Sequence, residues 1–323
     1  MQIKILGSAA GGGFPQWNCA CANCAGLRQG TLRAQARTQS QVAVSADGAT
    51  WFLLNASPDL RQQIEATPAL QPAAETRGAS AAERLRHTPI GGVLLTNADL
   101  DHVLGLLLLR EAQALRIYAT AAVQTLLRDN SMFQMLERQP QPPQWVGLEP
   151  GARVVLRAVD GRDSGLECRV LSLSGDFPLY APEERRGTLP AGEAVIGLVI
   201  GPPRGPALVY LPGVAALTPE LRAECDRAAL LLFDGTFWSE DELPRLRGGG
   251  RGARAMGHLP ISGPGGSLAA LAGCGAGQRA YIHLNNTNPL LDQDSAEHAA
   301  VRAAGWEIAS DGMAWNLSMG IQS

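Results

Sequence analysis

The sequence predicts an α/β (α+β) fold, a sandwich of two mixed β-sheets with helices on its outer faces. Short Val-, Ile- and Leu-rich runs of strand length recur along the 323 residues. In each half of the chain several such runs follow one another, as in sequential strand pairing, and strands and helices then alternate. Because this order occurs twice, it indicates two layered sheets that each carry helices outside.

The first half starts with strands and a hairpin. Gln41–Ser45 and Trp51–Asn55 are apolar strand candidates, and the Asp47-Gly48 pair between them is typical of a hairpin turn. Ser57 and Pro58 predict the N-cap and first position of a helix. The predicted elements are strands at 3–6, 41–45, 51–55 and 115–119, helices at 58–66 and 121–128, an irregular segment at 67–88, and a strand–loop–helix unit at 90–112.

The second half repeats the alternation, with buried strands that end in polar residues. The run Ala229–Phe233 is continuously apolar and ends at Asp234, which predicts a strand buried on both faces. The predicted elements are strands at 153–159, 167–173, 194–200, 207–211, 229–233 and 279–284, helices at 219–228, 265–272 and 297–304, and a glycine–arginine loop at 248–252.

Composition and charge exclude several classes of protein. The net charge is −3 and the basic residues are scattered, which does not fit a nucleic-acid-binding surface. No apolar run approaches the roughly 20 residues of a membrane-spanning helix, and the alternating start of the chain does not resemble a signal peptide. We therefore expect a cytoplasmic protein without a membrane span and without a nucleic-acid partner.

A glycine-rich segment, Gly7–Gly13, follows the first strand and invites comparison with phosphate-binding loops. No Gly-Lys-Ser/Thr sequence accompanies it, and Phe14-Pro15 occurs where a helix would have to begin. We expect instead that these glycines let the backbone pass close to a metal centre or to another strand.

Cys19, Cys21 and Cys24 place three thiols within six residues. This spacing suits one tetrahedral ion and predicts a structural zinc loop at about 17–26. A disulfide between such close neighbours would be strained, and a thioredoxin-like redox pair is the other alternative. The fourth ligand stays open between His258, the Asn285/Asn286 pair and a backbone group.

Metal-type side chains follow three of the predicted strands. Asp99, Asp101 and His102 come after the apolar run that ends at Leu95, Asp234 ends a second strand, and His283 ends a third. Acidic residues in the first turn of a helix, or an ordinary capping pair, would explain the first group alone. Because all three strand ends carry such residues, we predict a metal centre where they meet.

These motifs resemble the metallo-β-lactamase superfamily and, within it, the PqqB family of pyrroloquinoline quinone biosynthesis proteins. The resemblance covers nearly the whole chain and implies one αββα domain over residues 1–323. It rests on the segments 7–21, 55–59, 97–102, 234–238, 256–258 and 283–289. Asp234 falls at the superfamily's bridging aspartate and His283 at its last histidine, while the cysteines are similar to the structural zinc site of its cyclic phosphodiesterases.

The chain departs from the superfamily where a dinuclear hydrolase needs histidines. Asn97 and Asp99 replace two of them, and no histidine lies between His102 and His258. We expect one mononuclear site in which the ligands are Asp101, His102, Asp234 and His283, with Asp99 nearby. Two imidazoles with carboxylates and open positions are typical of non-haem Fe(II) oxygenases.

Other polar residues are candidates for supporting roles. The resemblance to superfamily nucleases makes His258 a candidate proton donor, with zinc ligation and a structural hydrogen bond as alternatives. Asn285 and Asn286 could orient substrate amides or carboxylates, or stabilise an Asn-Pro turn locally. Asn97 is grouped with them as a ligand-binding residue.

The resemblance implies a step in making pyrroloquinoline quinone, in which an iron-dependent oxygenase hydroxylates the tyrosine of a small glutamate–tyrosine intermediate with O2. Two alternatives stay open: a metal-dependent hydrolase, and a non-catalytic carrier of the cofactor or its precursor towards the periplasm, a transport role. Expected partners are the peptide-derived substrate, O2, other proteins of the pathway and a second copy of the chain in a homodimer.

Overall fold

The computed structural model describes residues 1–73, 85–111 and 113–318. Their strands form two seven-stranded sheets. The strands are β1 (Gln2–Gly7), β2 (Gln41–Ser45), β3 (Trp51–Leu54), β4 (Ile90–Leu94), β5 (Arg116–Ala119), β6 (Gln144–Gly147), β7 (Arg153–Arg157), β8 (Asp163–Leu173), β9 (Val195–Gly201), β10 (Leu208–Leu211), β11 (Leu230–Asp234), β12 (Gln278–Ile282), β13 (Glu307–Ile308) and β14 (Ala314–Asn316).

The two sheets have matching mixed topologies. The first has the order β14-β1-β2-β3-β4-β5-β6, with antiparallel pairs up to β3 and parallel pairs from β3 to β6. The second has the order β13-β12-β11-β10-β9-β8-β7, parallel from β13 to β10 and antiparallel from there on. The predicted fold class, two mixed sheets with helices, is confirmed.

Helices occupy the connections between the strands. The α-helices are α1 (Ala22–Gln29), α2 (Leu60–Glu65), α3 (Leu100–Val103), α4 (Ala121–Asp129), α5 (Gln134–Glu137), α6 (Glu183–Arg186), α7 (Pro219–Asp226), α8 (Glu242–Arg247), α9 (Ser267–Ala270) and α10 (Ala296–Ala303). Short 3-10 helices lie at Pro68–Leu70, Leu104–Leu109, Ala191–Glu193, Arg254–Met256 and Pro289–Leu291.

The core has two layers because both faces of the central strands are buried. Phe52 and Leu54 pack with residues of the other sheet, such as Leu232, in the layer between the sheets. Trp51 and Leu53 alternate with them and face the outer layer beneath the helices. This double burial explains why strands such as β11 are continuously apolar.

The structure corrects several local predictions. Asp59, not Ser57, occupies the N-cap position of α2, although the Ser57 hydroxyl accepts a hydrogen bond from the Asp59 N–H at 3.0 Å. The predicted helix after His102 is a single α-turn followed by the 3-10 helix Leu104–Leu109. The short edge strands β6, β13 and β14 were not predicted. Much of the irregular segment predicted at 67–88 lies outside the described residues.

No helix among the described residues is both long enough and apolar enough to span a bilayer.

Candidate metal centre

The metal-type residues of both sheets meet at one edge of the sandwich. In the first sheet β4 leads into α3, which carries Asp101 and His102. In the second sheet the parallel neighbours β11 and β12 bring Asp234 and His283 to the same edge. The Asp101 Oδ2 and His283 Nε2 atoms, 182 positions apart in sequence, are separated by 3.2 Å. The predicted convergence of three strand ends is therefore seen in the structure.

Asp101, His102 and His283 form a triad with the geometry of a metal site. One ligand atom from each lies within 4.8 Å of the others. The Nε2 atom of His102 is 3.9 Å from the Asp101 Oδ2 atom, and the two imidazole rings meet edge to face with centroids 5.3 Å apart. Two imidazoles and one carboxylate thus point towards a common space.

The hydrogen bonds of His102 leave one ring nitrogen available for a metal. Its Nδ1 atom lies 2.7 Å from the Oδ1 atom of Asn97, which can only accept, so Nδ1 carries the proton. The Nε2 atom is buried and has no hydrogen-bond partner among the described residues. Burial lowers the pKa of His102 to about 4, so the ring is neutral at pH 7. A buried, unpartnered lone pair beside a carboxylate fits a metal ion.

Asp234 belongs to a second group, with His258 and His283, whose ligand atoms also lie within 4.8 Å of one another. Its Oδ2 atom accepts hydrogen bonds from the Val214 N–H at 2.9 Å and from His258 Nδ1 at 2.8 Å. Its Oδ1 atom accepts from the backbone N–H and hydroxyl of Thr236 at 3.0 and 2.6 Å. The four predicted ligands therefore fall into two groups instead of one set. Both carboxylate oxygens of Asp234 accept hydrogen bonds from other groups of the protein.

Thr236 connects the two groups and was missed by the sequence analysis. Its hydroxyl donates to Asp234, and the same oxygen lies 2.8 Å from His283 Nδ1 and 3.1 Å from His258 Nδ1. An accepting hydroxyl oxygen places the proton of His283 on Nδ1 and leaves Nε2 free to face Asp101. The Asp234-Gly235-Thr236 motif was visible, but nothing in it indicated this role.

His283 also adopts a strained backbone. Its φ is +63°, in the left-handed region that residues other than glycine rarely occupy. Such strain is found at functional sites, where the surrounding structure enforces it. Here the Leu284 N–H donates to the Ser8 carbonyl at 3.0 Å and the Ala10 N–H donates to the Leu284 carbonyl at 2.8 Å. These bonds attach the end of β12 to the glycine-rich loop.

The glycine-rich loop passes directly beside the triad. A Cβ atom built on Gly11 would lie 3.3 Å from the Asp101 Oδ2 atom, a tight contact with the carboxylate. The predicted close approach of the glycine backbone is therefore seen at the Asp101 carboxylate.

Charges in the site shift the pKa values of its groups. Burial, together with the neighbouring Asp101, raises the pKa of Asp99 to about 6. Burial opposes ionisation of Asp101, but His102 and His283 outweigh it and keep its pKa below the usual range. Burial likewise disfavours the charged form of His258, but the Asp234 carboxylate outweighs this and raises the pKa of His258. The last pair is suited to holding a proton near the site.

The cysteines form a cluster that is separate from the triad. The sulfur atoms of Cys19, Cys21 and Cys24 lie within 4.8 Å of one another, and all three cysteines are free thiols. The side-chain nitrogen of Asn286 lies 3.1, 3.6 and 3.3 Å from these sulfurs, in that order. Of the candidates for a fourth ligand, Asn286 is therefore at the cluster, whereas His258 bonds to Asp234.

The predicted ligand-binding asparagines do not share one environment. Asn97 and Asn285 line a cavity of about 210 Å³ above the triad, together with His258 and Met256. Asn286 instead faces the cysteines, so its predicted contact with substrate is corrected. The two asparagines lie in the loop after β12, where the backbone turns between them and separates Asn285 from Asn286.

Comparisons with known proteins show the family to which the chain belongs. Residues 50–284 match the model of the beta-lactamase superfamily domain. Coenzyme PQQ synthesis protein B of Methylorubrum extorquens is 42% identical over 317 residues, covering 98% of this chain and 100% of that protein. The Xanthomonas campestris pv. campestris protein of the same name is 44% identical over 319 residues, with 98% and 100% covered.

Solved structures show the same likeness. The Zn(2+)-bound PqqB of Methylobacterium extorquens matches with a TM-score of 0.86 and 40% identity, covering 98% of this chain and 100% of that one. A diphosphatase of the PhnP family has a TM-score of 0.66 at 15% identity, with 98% of each chain covered, and shares the fold. The chain belongs to the beta-lactamase superfamily and, within it, to the family of coenzyme PQQ synthesis protein B.

Proposed function

We propose that the chain is an iron-dependent oxygenase that hydroxylates the tyrosine ring of a small glutamate–tyrosine intermediate in making pyrroloquinoline quinone. The pathway follows from the names of its relatives, which are coenzyme PQQ synthesis proteins. The observation that carries the reaction type is the triad of Asp101, His102 and His283. Two imidazoles and one carboxylate on one side of an ion, with open positions opposite, are typical of non-haem Fe(II) oxygenases.

The chain's own residues orient the triad and hold a proton beside it. Asn97 and Thr236 each hold one imidazole through Nδ1, so that both Nε2 lone pairs face the same space as the Asp101 carboxylate. When bound, Fe(II) would supply the chemistry that activates O2. His258, whose pKa is raised by Asp234, lines the same cavity and is placed to hold a proton beside substrate.

Hydroxylation balances with an external reductant. One oxygen atom of O2 replaces a ring hydrogen as a hydroxyl group, and the other leaves as water. The two electrons and two protons required come from a small-molecule reductant of the ascorbate class.

Metal reconstitution tests the proposal. The protein is loaded anaerobically with Fe(II), Mn(II) or Zn(II), then given a glutamate–tyrosine dipeptide, ascorbate and air. We expect oxygen uptake and a hydroxylated peptide by mass spectrometry with iron, and neither with zinc or with His102→Ala. Absence of added hydroxyl oxygen with every metal would overturn the oxygenase proposal.

A metal-dependent hydrolase is the second candidate. It is supported by the Asp234, His258 and His283 group, whose ligand atoms also lie within 4.8 Å of one another and would offer a second place for an ion. Such an enzyme would use a metal-activated water and would need no oxygen. Turnover of a peptide or ester substrate by the zinc-loaded protein under nitrogen would favour it. A carrier without catalysis would bind ligand equally well in wild type and in His102→Ala.

At the cysteine cluster we propose a structural zinc bound by Cys19, Cys21 and Cys24, with Asn286 at the fourth position. The convergence of three sulfurs on one amide group supports it. If the nitrogen and oxygen of the Asn286 amide exchange places, the oxygen faces the sulfurs and offers a neutral ligand atom. One zinc per chain that survives in His102→Ala and is lost in Cys24→Ser would support this assignment.

A further inference from the structure

A second and larger cavity adjoins the one above the triad. It has a volume of about 600 Å³. Asn97, Asp99 and His258 line both cavities, so the space over the metal centre continues into it. A small molecule with one end at the triad would extend its other end into this second cavity.

Arg186 lines the second cavity and lacks a partner there. Its Nε atom is buried and has no hydrogen bond among the described residues. The preceding Arg185, on the same helix α6, is instead paired with Asp129 at 2.7 Å. A buried guanidinium N–H without an acceptor is costly, so an arginine facing a cavity in this state fits an anionic ligand.

Two more arginines line the same cavity. Arg254 is committed to the protein, because it pairs with Glu240 at 3.0 Å and donates to the Pro264 and Gly265 carbonyls. Arg251 is an exposed residue of the lining and has no ion pair among the residues described. Arg186 and Arg251 are therefore the guanidinium groups left for a ligand.

The remaining lining defines the rest of the ligand. Asp99 and Asp176 also line the cavity, but the Asp99 carboxylate accepts a hydrogen bond from Asn97 at 2.8 Å. Phe177 is buried in the wall, while Leu179 and Met256 are 81% and 40% exposed at the rim. The apolar residues in this lining suit an apolar part of a ligand.

We propose that Arg186, assisted by Arg251, binds a carboxylate of a small aromatic substrate whose ring lies towards the triad. This inference rests on the proposed function. It adds that the substrate is an aromatic carboxylic acid. Planar guanidinium groups bind carboxylates through two parallel hydrogen bonds, which gives orientation as well as affinity. The arginine end would thus fix which part of the molecule reaches the metal.

Calorimetric titration of the zinc-loaded protein tests this without turnover. The probes are the glutamate–tyrosine dipeptide and its diamide, which lacks both carboxylates. We expect Arg186→Gln to raise the Kd of the dipeptide by about 10- to 100-fold and to leave the Kd of the diamide unchanged. Arg251→Gln should produce a smaller rise. Arg185→Gln, on the same helix but paired with Asp129, should match wild type.

Unchanged dipeptide affinity in both Arg186→Gln and Arg251→Gln, or equal affinity of wild type for dipeptide and diamide, would overturn the inference. Failure of the oxygenase proposal gives a different pattern, in which the iron-loaded protein adds no oxygen although Arg186 still controls dipeptide binding. A folding defect in Arg186→Gln would show as a lowered Tm. In that case the Kd of the dipeptide for Arg251→Gln decides whether the inference stands.

Discussion

The two candidate metal sites are built in opposite ways. The cysteine cluster takes three ligands from six consecutive residues, Cys19–Cys24, and a fourth group from a distant loop. The triad joins residues 182 positions apart, held by buried strand ends of two sheets. We infer that the cysteines depend on their ion for local order, whereas the protein alone positions the triad.

The largest expected effect is loss of the metal at the triad without loss of the zinc at the cysteines. His102→Ala removes one of the two triad imidazoles, so we expect binding of the active-site metal to fall by more than about 100-fold and turnover to fall to background. The zinc at the cysteines should stay. Metal analysis per chain, together with Tm, measures both. His298→Ala is the control, because its Nδ1 atom bonds to the Leu290 carbonyl at 2.9 Å, away from the triad. Loss of both metals in His102→Ala would contradict separate sites.

Cys24→Ser should have the converse effect. Without one thiolate the zinc is lost, and we expect the free energy of unfolding to fall by at least about 3 kcal/mol. Cys225→Ser controls for placing a hydroxyl in the core, since both cysteines are 0% exposed. Chemical denaturation and zinc content are the readouts. Equal destabilisation by the two variants would mean that the cluster is a packed group of thiols without an ion.

Asn97→Ala tests whether the hydrogen bond to His102 Nδ1 orients the triad. Without the acceptor at 2.7 Å from Nδ1, His102 loses its fixed tautomer and orientation. We expect Fe(II) affinity to fall by about 10- to 100-fold while Tm changes little. Asn97→Asp retains an acceptor and should recover most of the affinity. Equal affinities in Asn97→Ala and wild type would remove Asn97 from this role.

The smallest expected effect concerns Glu242, a buried carboxyl group that bonds to the loop after β12. Glu242 accepts hydrogen bonds from the Trp238 N–H at 2.6 Å and from the Thr287 hydroxyl, which itself accepts from Asn285. Burial raises the pKa of Glu242 from 4.5 to about 7. The folded chain therefore holds a proton that the unfolded chain releases, and this contribution is full below about pH 4.5 and lost as pH rises through about 7.

Between pH 6 and pH 7 wild type should consequently lose about 1 kcal/mol of stability relative to Glu242→Gln. Urea denaturation at both pH values measures this difference. Glu184→Gln, at an exposed site, should follow wild type. A constant difference between wild type and Glu242→Gln across this range would show that Glu242 is ionised in the fold throughout.

The sequence was sufficient for the fold class and for the residues that carry metal-type chemistry. Apolar runs that end in Asp234 and His283 predict buried strands and a shared edge, because the carboxyl ends of parallel strands meet there. The edge strands β6, β13 and β14 were missed, since they are short and their weak patterns depend on pairing with a neighbour.

The partners of the site residues could not be predicted. Thr236 has no metal-type side chain, and its role depends on where two imidazoles lie in space. Asn286 adjoins Asn285 in sequence, yet the two face different sites because the backbone turns between them. Similarly, the division of Asp234 from the triad depends on the Val214 N–H, which no local pattern relates to β11.

Isotope labelling tests most directly whether the triad holds iron for oxygen chemistry. The iron-loaded protein is incubated with the glutamate–tyrosine dipeptide and ascorbate under oxygen-18 gas, and in parallel under ordinary oxygen in oxygen-18 water. We expect the label in the product ring to come from the gas, with no product from His102→Ala. Ring label that comes from water alone, or the absence of any hydroxylated product, would contradict the oxygenase. Cleavage of the dipeptide bond by water in the absence of oxygen would support the hydrolase.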